Sequence, residues 1–556
     1  MDMEKRIRSA RLSRREFLRT AGLVGAGLVA SSYVAPALAA NIADAPVWAP
    51  AILQGEKPGL KPGMIGGPTG FDGAEGFQYG PDTPAGRAIE GVKALTAEKK
   101  PAKLVLQLAQ GVLGQYDVPF PAGAPQSVKQ VWVEETGIDL ELVGISPDDQ
   151  RTKIIQDAAT KAAQFDAYSF WDTDKGALVE AGAFLKLNDF IAQYKPEWEK
   201  SVIGGQNTVL QTFTYAGDYW CVNTDGDYQV WQYRKDLFED PKEMANFKAK
   251  YGWDLQWPET YDQLLQIGEF FHRPDQNLWG MTDLRNANGW GLVNWCTRYA
   301  SGANPNVLYF DSDTGKPLVN SPAGVQATKE YADTLKYHSP DAMSWGWPEQ
   351  YANFSAGGAA MSCMYPNAPK YLDNPDNPDS KVVGKMRSGL TPGRIFDGKL
   401  IRRAIWWPNI AMAASSQSKY PDATYLFLQW LSSPSIYSWM VGNPAGYYDP
   451  YLESDLVTPI VVASYKPWHI PIIKTTIEHS VPPLVLNGSA EYTLAMDDNL
   501  QAVMTNAKTA EQAMADVEAA WEQITDRLGR DKQIAAMKAL AATYPTIVDT
   551  PTIKTA

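Results

Sequence analysis

The amino-acid sequence predicts an α/β protein of two interleaved lobes. Three observations lead there. Strand and helix signals alternate through the first half of the chain, and a β-α-β order favours a parallel sheet because the helical crossover returns the chain to the same edge. Roughly 515 residues remain beyond an N-terminal address segment, more than one hydrophobic core holds. No internal repeat or low-complexity linker divides them, as a string of separate domains requires.

Residues 1–39 read as that address. Seven basic residues, Lys5 to Arg19, precede an apolar run over 21–30, and Ala37-Leu38-Ala39 forms a small-x-small cleavage signature. The run is far shorter than the ~20 residues a membrane-spanning helix needs. Arg14-Arg15 followed by Phe17-Leu18 has the form of a twin-arginine export signal. The expected location is therefore the periplasm. Residues 40–100 are rich in Pro and Gly and read as an irregular extension, with a helix expected over 85–99.

A strand is expected over 104–110, a helix over 126–135 and a strand over 139–143, closing one β-α-β unit. An amphipathic helix over 148–165 carries Ile154, Ile155, Ala158 and Ala162 near helical spacing. A strand over 165–170 ends in Trp171-Asp172-Thr173-Asp174. Loops at the carboxyl ends of such strands build ligand crevices, so this aromatic-acidic turn is a candidate site. Strands are expected over 219–222 and 230–234, joined by a turn holding Asp225 and Asp227. Helices follow over 262–271, 323–336 and 349–356, then a strand over 360–364. Further helices are expected over 420–431 and 507–528. Asp311-Ser312-Asp313-Thr314-Gly315 lacks the downstream Glu of a calcium loop and reads as a hairpin turn.

Composition excludes several classes. The formal charge is −13, and removing the address segment makes the chain more acidic still, so nothing attracts nucleic acid or anionic lipid. Three cysteines, Cys221, Cys296 and Cys363, are too few for a disulfide scaffold. Buried single thiols or one bridge with a spare thiol both fit. The four histidines are scattered, with no pair at metal-ligand spacing on one helical face, so no metal site and no cofactor are expected. Nineteen tryptophans are many. Flat apolar faces beside Asp, Asn and Gln suit a polyhydroxylated ligand, whose C–H faces stack while its hydroxyls bond the polar groups.

Five passages then stand in a familiar order. Tyr215-Ala216-Gly217-Asp218-Tyr219-Trp220 leads to Tyr233-Arg234-Lys235-Asp236-Leu237-Phe238. Trp257-Pro258-Glu259-Thr260-Tyr261-Asp262 follows, then Asn320-Ser321-Pro322 with Gly324-Val325. Phe354 with Gly357-Gly358-Ala359-Ala360-Met361, and Ser418-Lys419 with Leu428 to Pro434, complete the set. Together they resemble the extracellular solute-binding proteins of ABC importers, the family that includes the maltose-binding protein, over roughly residues 101–530. Arg234 stands where that family usually has Asn. The Asp225-Gly226-Asp227 stretch and the long extension are further departures.

The resemblance implies a two-lobed periplasmic binding protein fold with an interlobe ligand cleft and a multi-strand hinge. It implies an N-lobe of 101–224 and 396–452, and a C-lobe of 225–395 and 453–556. The implied function is capture of a sugar or small polyol, glycerol among them, by an open–closed motion. The partners would be membrane permease subunits and, through them, a separate cytoplasmic ATPase, since this chain has no phosphate-binding Gly-rich loop with Lys. A monomer is expected, with no catalytic residue. Ligand contacts are expected from Gln110, Trp171, Asp172, Asp174, Asp225, Asp227 and Trp231. Trp345, Trp347, Tyr365, Asn367, Trp406, Trp407, Tyr447 and Tyr448 complete the expected set. Two rivals share the pairing of carboxylates with aromatics or the same fold: a periplasmic glycoside hydrolase, and a solute sensor.

Overall fold

A computed structural model describes residues 79–545 apart from 119–126, 206, 288–290, 304–308, 408 and 444–445. The expected export signal and most of the Pro/Gly-rich extension lie outside the described residues. The main strands are β1 (Lys103–Ala109), β2 (Asp139–Ile145), β3 (Ala167–Trp171), β4 (Val222–Asn223), β5 (Val230–Arg234), β6 (Met361–Met364), β7 (Met386–Gly389) and β8 (Ile410–Ala414).

The first lobe is built on a five-stranded sheet in the order β2-β1-β3-β8-β4. β1 pairs in parallel with β2 and β3, whereas β8 runs antiparallel to β3 and β4. The helix Val128–Thr136 makes the first crossover. Ser127 caps it with a capping box to Gln130, and Gly137 ends it in the left-handed conformation that glycine adopts without Cβ strain. Both faces of the sheet are covered. Leu104, Leu106 and Leu108 face Ala88, Val92, Val131 and Trp132, while Val105 on the opposite face packs with Ile154, Tyr168 and Phe170. Each fully buried leucine contributes about 2 kcal/mol through apolar surface removed from water. The helix Pro84–Lys93 starts at the Thr83 cap and stops short of the expected 99.

The second lobe holds a three-stranded antiparallel sheet, β6-β5-β7. Gly389 is required in β7, because a Cβ there would sit 2.2 Å from the Trp257 indole. The helix Tyr261–Phe271 starts at a Thr260–Gln263 capping box, as its sequence signals. A helical layer completes this lobe: Leu292–Gly302, Pro322–Thr334, Ser489–Met504, Ala510–Leu528 and Arg530–Ala541. Trp295, Tyr492 and Trp521 form its interior. Two of these tail helices, Ser489–Met504 and Arg530–Ala541, had no counterpart in the sequence expectation. Asp311 Oδ1 accepts from the Asp313 and Thr314 amides, giving the expected turn.

The chain passes between the sheets through 224–229 and again through 390–409. Leu456, Val461, Ile470, Ile473 and Ile477 pack into the core of the first lobe. The boundary expected after 452 therefore does not divide the packing units, and the third passage follows Ile477. The apolar spacing of 470–477 fixes this, since its isoleucines have a ready-made face there. Cys221, Cys296 and Cys363 are buried free thiols.

Candidate functional site

The polar residues buried where the lobes meet come from four short segments. The first is the 224–229 passage. Thr224 is anchored by its amide and its hydroxyl to the Ile410 carbonyl, at 2.8 and 3.0 Å. Asp225 Oδ1 accepts from the Asp449 amide at 2.9 Å. Gly226 lets the two segments touch, because a Cβ there would lie 2.6 Å from the Asp449 carbonyl oxygen. Asp227 brings its carboxyl against that of Asp449. Tyr228 stacks on Trp406 with ring centroids 5.4 Å apart and planes 16° from parallel.

The second segment is 447–451, supplied by the first lobe. Asp449 is fully buried. Its Oδ1 accepts from the Tyr465 hydroxyl at 2.8 Å, and its Oδ2 from Asn367 Nδ2 at 3.1 Å. Tyr448 shares a hydrogen bond with Tyr116 at 3.0 Å. The third segment follows β6 in the second lobe. Asn367 accepts from the Tyr351 hydroxyl at 2.8 Å and donates to the Tyr447 carbonyl as well as to Asp449. Lys370 donates to the Val441 carbonyl at 3.2 Å and lies over the Tyr465 ring. The fourth segment is 405–409. Asn409 binds Asp172 through its backbone N–H and through Nδ2.

Burial sets the charge states. Desolvation raises the Asp449 carboxyl to about 7, with Lys370 opposing the rise, and raises Asp172 to about 6. Asp225 and Asp227 are pushed well above the usual carboxylate range, first by burial and then by neighbouring carboxylates. Burial lowers Lys370 to about 8. One oxygen from each of Asp225, Asp227 and Asp449 lies within 4.8 Å of the other two. Several buried polar atoms nearby have no hydrogen-bond partner among the described residues: Asn223 Oδ1 and Nδ2, Trp406 Nε1 and Asn409 Oδ1. Buried polar groups are normally paired, so an unpartnered set at a lobe boundary is where a hydroxylated molecule would find bonds.

The structure brings Asp225, Asp227, Tyr365, Asn367, Trp406, Tyr447 and Tyr448 into this neighbourhood. Trp347 joins its edge, packing at right angles on Tyr351 and Tyr447. It sits in the first turn of the helix Trp347–Ser355 rather than ahead of it. Asp172 is buried beside Asn409, with Trp171 partly exposed before it. Asp174 instead faces Arg151 at 3.6 Å.

Four candidates stand elsewhere. Gln110 is exposed in the turn after β1, while Gln107, two residues inside the strand end, is the buried amide. Trp231 is buried in the second lobe's core against Trp257. Trp345 is partly exposed ahead of the Trp347–Ser355 helix. Trp407 lines a small apolar cavity with Trp295 and Trp521. Sequence reading missed Asp449, Lys370, Asn223, Gln229 and Asn409. Asp449 alone carried a signal, as an acid set among Tyr447, Tyr448 and Tyr451.

Residues 118–437 match the model of the bacterial extracellular solute-binding protein family. The chain belongs to that family. Its members are ligand-binding components of transporters rather than enzymes. The solute-binding protein is 24% identical over 429 residues to a probable amino-acid ABC transporter periplasmic-binding protein of Sinorhizobium fredii, covering 73% of this chain and 87% of that one. Its fold matches an ABC transporter solute-binding protein of Agrobacterium radiobacter solved with ribitol. The TM-score is 0.60 at 20% identity, covering 76% of this chain and 98% of the other. An Agrobacterium vitis solute-binding protein with bound D-mannitol gives 0.58 at 19%, covering 77% and 99%. A maltose-bound protein of T. maritima gives 0.60 at 15%, covering 76% and 99%. These likenesses establish the two-lobed binding-protein fold.

Proposed function

We propose that this solute-binding protein is the periplasmic component of an ABC importer, capturing a sugar or small polyol between its lobes and releasing it unchanged to the permease. The observation that carries this reading is the unpartnered polar set beside the Trp406–Tyr228 stack. Carboxylates and amides can bond hydroxyls in pairs while the indole covers a C–H face. Ribitol and mannitol in two proteins of like fold point to the same chemistry. A ligand that binds the closed arrangement better shifts the open–closed balance towards it. The reading includes export by the twin-arginine route, a monomeric state, no catalysis, and an ATPase reached only through the permease.

Thermal unfolding against polyols, mono- and disaccharides, sugar acids and amino acids tests it. A ligand specific to the folded state adds RT ln(1 + [L]/Kd), about 4 kcal/mol at a thousand times Kd. One sugar or polyol that raises Tm by several degrees and is recovered intact supports the reading. A hit confined to amino acids overturns the ligand class, and turnover of a glycoside revives the hydrolase.

A further inference from the structure

We propose that a small cavity beside the lobe crossings is a binding site for a monatomic anion of the chloride type. Thr391, Arg402, Arg403, Thr476 and His479 line it, and no acidic residue does among the described residues. Two crossings meet there. Ala404–Ile405, from the 390–409 passage, pairs in parallel with Ser480–Val481, from the passage that follows Ile477. Thr391 and Arg402 belong to the first of these. Thr476 lies in the last turn of the helix Ile470–Glu478, which leads into the second.

Arg402 carries the argument. It is 3% exposed, and its Nε meets no hydrogen-bond partner among the described residues. Burial lowers its guanidinium to about 10, with Glu259 opposing from beyond ion-pair distance. A charge taken out of water is normally paired, because an unpaired one loses its hydration with nothing in return. The position therefore asks for negative charge.

The rest of the lining suits an anion. Thr391 Oγ1 and Thr476 Oγ1 are buried and also without partners among the described residues. Each hydroxyl has a proton to donate. The carbonyls of this wall are already taken. Arg403 Nη1 donates to the Arg402 carbonyl at 2.9 Å. His479 Nδ1 lies 2.8 Å from the Thr475 carbonyl, and the Ser480 hydroxyl donates to the Thr476 carbonyl at 2.7 Å. The groups left over are one guanidinium N–H and two hydroxyls. The cavity measures about 10 Å³, close to the ~10–15 Å³ that seats one water. One atomic ion fits, and a tetrahedral oxyanion does not. A water would fill the space and leave the Arg402 charge unanswered. An anion here would tie the second crossing to the third and stiffen the hinge on which the lobes turn.

The test uses the mature protein, dialysed free of halide and with no solute added, which keeps it independent of the sugar or polyol reading. At equal ionic strength, chloride at about a hundred times a ~1 mM Kd should raise Tm by a few degrees over gluconate, an anion too large to enter. Arg402→Met keeps the stem, removes the charge and should abolish that difference. Thr391→Val keeps the shape and should shrink it, so the test stands even where Arg402→Met fails to fold. Crystals grown in bromide should show one anomalous peak per chain against the Arg402 guanidinium. Equal Tm in chloride and gluconate overturns the proposal, and so does a cavity without a bromide peak. A chloride response unaltered in both variants overturns it too, as does a carboxylate of the chain itself seated in the cavity.

Discussion

Asn367 Nδ2, on the second lobe, donates to Asp449 Oδ2, 3.1 Å away on the first. The same amide accepts from Tyr351, so one side chain ties the end of β6 to the 447–451 loop. Asn367→Ala should therefore loosen the closed arrangement more than it harms either core. A single neutral hydrogen bond is worth about 1 kcal/mol, and leaving a buried acceptor unpaired costs about 1–3 kcal/mol. We expect solute affinity to fall about 10-fold, with scattering profiles shifted towards an open form.

Trp406 is fully buried with its Nε1 unpartnered among the described residues. Trp406→Phe keeps an aromatic face for Tyr228 but removes the N–H. Solute affinity should drop while chemical unfolding changes modestly. Trp406→Ala should cost about 3–5 kcal/mol, as large-to-small changes of this size do. Equal affinity in Trp406→Phe and the parent protein would remove the indole from the site.

Gly226→Ala places a Cβ 2.6 Å from the Asp449 carbonyl oxygen, a backbone atom with little freedom to move. Such overpacking costs about 1–3 kcal/mol. The 224–229 passage should move off the 447–451 loop, lowering the urea midpoint and weakening binding together. An unchanged midpoint would show that the loop yields.

The pH dependence follows from direction. Asp449 and Asp172 are raised on folding to about 7 and about 6 from a usual 3.8. The folded state therefore binds their protons more tightly. The stability they contribute is full below the unfolded value and is lost as pH rises through 6 to 7. Asp283 runs the other way, with Arg285 the largest influence holding its carboxyl below the usual range, so its contribution is lost only in strong acid. Tm should be higher near pH 5 than near pH 8, and Asp449→Asn should flatten that slope.

Asp283 also anchors a buried network, meeting Arg285, Arg298 and His338 with all four side chains almost wholly out of water. Asp283→Asn leaves guanidinium charge uncompensated. Breaking one partner of a buried pair costs about 3–5 kcal/mol, so the variant should unfold at markedly lower denaturant. A Tm within a degree or two of the parent would mean water reaches Arg285.

Much of the architecture was legible in the chain. The β-α-β unit over 103–145, the strand ending at Trp171 and the passage through Asp225 and Asp227 each rest on local patterns of period and turn residues. The site was legible only in part. Asp449 and Lys370 are single residues far apart in sequence, joined to Asp225 by tertiary packing alone. Gln107 was passed over for Gln110 because the strand ends one residue earlier than its apolar pattern suggests. Trp231 was misplaced for the opposite reason: a tryptophan near a lobe passage has the same signature whether it faces a cleft or a core. Of the three helices after 488, Ala510–Leu528 was legible from its alanine-lined face, whereas Ser489–Met504 and Arg530–Ala541 went unread.

The three thiols, Cys221, Cys296 and Cys363, lie in separate clusters and close no bridge. Nothing covalent in the fold waits for an oxidising compartment. A chain exported by the twin-arginine route, as proposed above, has no bridge left to close outside, so its interior can be finished among cytoplasmic reductants and cross the membrane as the same molecule that later works beyond it.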